Sequence, residues 1–169
     1  MLQKLDFFDY ILENQSPESL LADATQICDT LTATVLRDLD IHNYCYDPKE
    51  AVEELGLDEE LVHQLVADYV AQVIRSVVQF ENYLKSLHSS QQNHTNMDYT
   101  PFRELAHKNL GVARNLRIKD AEKLLYELMK KDDLEYLVIC LEALKVCAIK
   151  LNPECAYDTI KLIHIKNNL

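Results

Sequence analysis

Glycine and proline are scarce in this chain: two and four among 169 residues, with no tryptophan at all. So few turn formers point to long helices and few tight turns. No stretch alternates apolar and polar residues with period two, so strands are not expected. No apolar run approaches about 18 residues, which argues against a membrane span. The opening MLQKLDFFDY is charged where a secretory leader would be uninterrupted and apolar. Five cysteines (Cys28, Cys45, Cys140, Cys147 and Cys155) show neither CxxC nor metal-ligand spacing. Their odd number, with Cys28, Cys140 and Cys147 in or near apolar stripes, suits a reducing cytoplasm. The histidines at 42, 63, 88, 94, 107 and 164 form no HxxxH or HExxH pair, so no zinc site is expected. No glycine-rich nucleotide loop is present, which excludes an ATP-binding kinase domain. A formal net charge of −11 argues against nucleic acid or an anionic membrane as partner.

What is present is helical periodicity. An apolar content of 48% is enough for a real core, and the length fits one domain or one domain with a helical appendage. Residues 3–13 suggest a short first helix. Ser16 then caps a second, expected to run to about Leu39, with Pro17 at its first position and Leu20, Ala24, Ile27, Leu31 and Val35 on one side. The aromatic segment 41–46 reads as packed against the body. Asp47 and Pro48 open a short helix ending at Gly56, where a C-cap is expected. Asp58 caps the longest helix, expected over 59–87. There Val62, Val66, Tyr69, Val73, Val77, Phe80, Leu84 and Leu87 step by 4, 3, 4, 4, 3, 4 and 3. The polar run 88–98 is expected to be a surface loop. Asp120 is expected to cap a helix with Leu124, Leu125 and Leu128 inward. Asp132 or Asp133 starts the next, where Leu134, Leu137, Leu141, Leu144, Ala148 and Leu151 form a two-heptad seam. Asn152 and Pro153 begin a last short helix to about Ile165.

The stretch PFRELAHKNLGVARNL, 101–116, carries the chemistry. Thr100 reads as its N-cap and Pro101 as its first helical residue. At 100° per residue, Phe102, Leu105, Val112 and Leu116 share one side. His107, Arg103, Leu110, Gly111 and Arg114 then face outward. A glycine inside a helix costs about 1 kcal/mol relative to alanine. Gly111 therefore marks either close packing by a neighbouring helix or close approach of a partner to His107. Arg103 and Arg114 are either ordinary surface charges or cations for an anionic group.

In AHKNLGVARNL, His107 is followed by Gly111 at the fourth position and by Asn115-Leu116 at the eighth and ninth. This spacing resembles the H-x-x-K-G signature of the histidine-containing phosphotransfer (HPt) domain family. DPKEAVEELGLDEELVHQLVADYVAQV upstream and DAEKLLYEL downstream are similar in character to the family's neighbouring helices. The resemblance covers about 47–151. Leu110 stands where the family carries lysine, and Asn109 where it usually carries an apolar residue.

The resemblance implies an all-α fold: an antiparallel four-helix bundle of HPt type at 47–152. An N-terminal helical extension at 1–46 would precede it, and a short C-terminal helix and tail at 153–169 would follow. It implies a cytoplasmic histidine phosphocarrier in a multistep phosphorelay, not an enzyme. His107 would accept a phosphoryl group from a receiver-domain aspartate and pass it to another receiver. Arg103, Lys108, Leu110, Gly111 and Arg114 would stabilise the phosphoryl group or dock the partner. The partners implied are response-regulator receiver domains or a hybrid sensor kinase. The chain itself would hold no cofactor or metal; Mg2+ would reside on the receiver. The alternatives are an HPt-like module that docks receivers without carrying phosphate, and a helical adaptor. The extension would pack on the bundle or on a second copy.

Overall fold

The computed structural model describes residues 16–41 and 45–167. Among them are seven α-helices, one 3-10 turn and no strand, so the fold is all-α. The helices are α1 (Pro17–Ala33), α2 (Lys49–Leu55), α3 (Glu59–Gln92), α4 (Thr100–Asn115), α5 (Lys119–Lys130), α6 (Leu134–Leu151) and α7 (Pro153–Asn167). The helix expected at 3–13 lies outside the described residues.

Local chemistry sets most boundaries. Ser16 Oγ accepts from the Ser19 amide and Pro17 opens α1. Gly56 closes α2 at φ 66°, the left-handed conformation that a side chain resists. Asp58 accepts from the Leu61 amide at 2.8 Å, and Glu59 and Glu60 complement the positive end of α3. Asp133 caps α6. Asn152 breaks α6 from α7 and accepts from the Cys155 amide at 3.0 Å, with Pro153 at the first position of α7.

Four expected boundaries are corrected. The helix expected to run to about Leu39 ends at Ala33, a separate 3-10 turn follows at Arg37–Leu39, and Val35 is exposed instead of joining the apolar side. The polar run 88–98 is not all loop: α3 continues to Gln92 and only 93–99 link it to α4. At 34 residues α3 spans about 51 Å. Its last turns lie along the N-terminal half of α6, where Leu84 and His88 share a groove with Leu134 and Val138. Thr100 is the first residue of α4 rather than its cap, and its amide donates to Asp98 Oδ1 at 3.0 Å. Asp120 does not cap α5; the helix starts at Lys119 and Asp120 is turned inward and buried.

Two closed circuits of helices share α3 and α6. In the first, α3 packs on α4, α4 on α5, α5 on α6 and α6 back on α3. In the second, α3 packs on α7, α7 on α1, and α1 on α6. α3 and α4 run antiparallel: Phe80 meets Phe102 edge-on at 5.0 Å, while Ser76, a turn earlier, bonds Asn109, two turns later. Because α1, α3, α5 and α7 all contact α6, it is buried well beyond its heptad seam, continuously from Cys140 to Ile149. α1 thus packs on this body. Tyr46, from the aromatic segment, donates to the Leu116 carbonyl at 2.6 Å.

One core group is anomalous. The Tyr69 hydroxyl is buried without a hydrogen-bond partner among the described residues. Burial and then the nearby Cys147 hold the phenol well above its ordinary range, so it stays protonated. An unpaired buried hydroxyl is a net cost. Tyr69→Phe should therefore raise stability by about 1 kcal/mol, read as a higher urea midpoint at unchanged slope. A lower midpoint would show that the hydroxyl does have a stabilising role.

Candidate functional site: the exposed face of α4

The rotation of α4 decides what it shows to solvent, and a buried amide sets that rotation. Asn109 is fully buried. Its Nδ2 donates to Ser76 Oγ at 3.0 Å and to the Leu105 carbonyl at 2.9 Å, and Gln72 of α3 donates to its Oδ1 at 3.4 Å. Phe102, Ala106, Leu110 and Ala113 are buried around it, while Leu105 and Val112 are only half-buried. The apolar arc is thus turned by roughly 60° from one centred on Phe102, Leu105, Val112 and Leu116, at 100° per residue.

This rotation overturns one expectation. Leu110 is 1% exposed, so it is not a docking residue on the surface. The small Ala106 and Ala113 let neighbouring helices come close on that side, and Leu110 falls within the same arc.

The remaining candidates lie on the exposed face. His107 is exposed and has no hydrogen-bond or ion-pair partner among the described residues. Gly111, one turn on, is exposed as well, and a Cβ built there would meet nothing within 4 Å among the described residues. Close packing by one of the described helices therefore does not explain this glycine. Arg103 is exposed, with its guanidinium 4.9 Å over the Tyr99 ring. That ring is anchored by its hydroxyl, which donates to the Asp132 carbonyl at 2.8 Å. Burial and Asp132 hold the Tyr99 phenol above its ordinary range, so the donor persists at neutral pH. Arg114 is exposed and 4.0 Å from Glu122 of α5, at the edge of ion-pair distance. Lys108 is exposed on the flank nearer α3.

Two exposed neighbours, Glu104 and Asn115, were not among the candidates. Helical spacing could have found Glu104, three residues before His107; its carboxylate adds negative charge beside the imidazole. Glu122 could not have been found, since only the α4–α5 packing brings it to Arg114.

Chemically, the face offers an accessible imidazole, an uncovered patch of backbone and three cations. Among the described residues no group of histidine, cysteine or carboxylate side chains is arranged to hold a metal ion. None of the described helices is long and apolar enough to cross a membrane. The chain matches no family model, no curated protein and no solved structure.

Proposed function

We propose that this protein is a histidine phosphocarrier of a multistep phosphorelay, with α3–α6 as an antiparallel four-helix bundle of HPt type. One observation carries the reading: exposed His107 stands one turn from a helical glycine with open space above it. A helix keeps a costly glycine where something must come close, and no part of the described protein does. The approaching body is a receiver domain. A neutral imidazole nitrogen of His107 attacks the phosphorus of the receiver's aspartyl phosphate. The acyl phosphate P–O bond breaks, the aspartate leaves as a carboxylate and the ring carries the phosphoryl group to a second receiver. Arg103 and Arg114 supply charge for the phosphoryl oxygens; guanidinium geometry suits two-point contact with phosphate. Mg2+ belongs to the receiver. The setting is the cytoplasm.

The test is incubation with acetyl phosphate, or with a phosphorylated receiver and Mg2+. Acid-labile, alkali-stable label on this chain supports the carrier, and its absence removes it. A second reading, docking of a receiver without phosphoryl transfer, is favoured by Leu110. It replaces the family's lysine and its side chain is buried, so no cation projects from that position. Receiver binding without label would select this reading.

Gly111→Ala separates packing from docking. With nothing within 4 Å of the added methyl, the folded protein should gain up to about 1 kcal/mol from helix propensity. Phosphoryl transfer should slow at the same time. Faster or unchanged transfer would mean that no partner closes over this position.

A further inference from the structure

A second surface lies on the opposite flank of α3. Arg75 and Val78 of α3 line a groove of about 570 Å³ with Leu162, Ile163, Ile165 and Lys166 of α7. Leu162 and Ile165 are 61% and 48% exposed, the highest values for large apolar side chains among the described residues. The two lie three residues apart, on one face of α7.

Charge identifies the occupant. In a chain of net charge −11, the described residues that line the groove include two cations and no carboxylate. The nearest acidic residues in sequence do not line it: Asp158 lies a turn before Leu162, and Glu81, three residues after Val78, is held 2.6 Å from Lys145. Neither Arg75 nor Lys166 forms an ion pair among the described residues, nor does the exposed Lys161 beside Leu162. The shape is concave and runs between two helices, which suits a third helix laid along it better than a planar bilayer. The overall negative charge also disfavours an anionic membrane.

We propose that the α3–α7 groove docks an acidic amphipathic helix of a partner protein. Its apolar stripe would cover Leu162 and Ile165, and its carboxylates would meet Arg75 and Lys166. The proposal is independent of the phosphocarrier reading. Val78 and Ser76 project from roughly opposite sides of α3, so a helix in the groove leaves the His107 face open.

The test uses the full chain and two synthetic amphipathic peptides of about 18 residues, long enough to form a helix. Both carry leucines at helical spacing; one is flanked by glutamates, the other by lysines. The glutamate peptide should bind at least about tenfold more tightly than the lysine peptide. Leu162→Ser should weaken it at least about tenfold, and the double variant Arg75→Glu/Lys166→Glu should transfer the preference to the lysine peptide. These side chains are exposed, so circular dichroism should be unchanged; Ile165→Ser serves if Leu162→Ser loses helicity. Equal binding of the two peptides, or no binding by either, overturns the proposal. So does binding to phosphatidylserine vesicles that Leu162→Ser abolishes, or self-association that the same variant abolishes.

Discussion

Replacing His107 with glutamine is expected to remove all phosphoryl label from the protein while leaving it folded. Glutamine keeps a polar side chain of similar reach but has no nucleophilic nitrogen. His107 is exposed and makes no hydrogen bond or ion pair among the described residues, so stability should shift by no more than about 0.5 kcal/mol. The loss of label would then report chemistry and not unfolding. The other described histidines provide the control. His63 lies beside Glu59 at 3.5 Å on α3, His88 and His94 lie at and beyond its end, and His164 lies on α7. Their replacement should leave the label intact. Label that persists in His107→Gln would move the acceptor elsewhere and end the present assignment.

Lys145→Met is expected to cost about 3–5 kcal/mol, the largest loss of stability of the changes considered. Lys145 Nζ lies 2.8 Å from Glu142 and 2.6 Å from Glu81, and both Lys145 and Glu142 are nearly inaccessible. Methionine fills the volume but removes the ammonium that both carboxylates bond. The double variant Glu142→Gln/Lys145→Met should recover much of the loss, because it removes the buried negative charge as well. If the double variant is as unstable as the sum of the singles, packing and not charge governs the site. The pH dependence follows from the lysine. Burial pulls its pKa down, but Glu142 and Glu81 outweigh burial and leave it raised. The folded pKa exceeds the unfolded value of about 10.4, so the contribution is complete below that pH and is lost above it. Chemical denaturation should show a constant gap between the unsubstituted protein and Lys145→Met at neutral pH. The gap should narrow as the pH rises into the alkaline range.

The α-helical class and most helix boundaries are legible in the residues alone. They depend on short-range physics: Ser16 and Asp58 satisfy the first free amides of their helices, Gly56 takes a conformation other residues resist, and Asn152-Pro153 ends one helix and starts the next. The 62–87 stepping of apolar residues is likewise a local pattern, and all eight of its positions are buried. His107 and Gly111 could be placed outward because they fall opposite any reasonable apolar arc of α4.

What remained for tertiary packing is what no single helix carries. The angle of α4 was set by Ser76 and Gln72 bonding Asn109 from another helix, which pulled Leu110 inside. The encirclement of α6 came from four separate segments, one of them α1, the first of the described helices. The groove at Leu162 forms only where α7 lies against α3. Caps and periods are written between residues a few places apart. Rotation, burial and grooves arise from contacts tens of residues apart, where competing arrangements differ by small amounts of packing and hydrogen-bond energy.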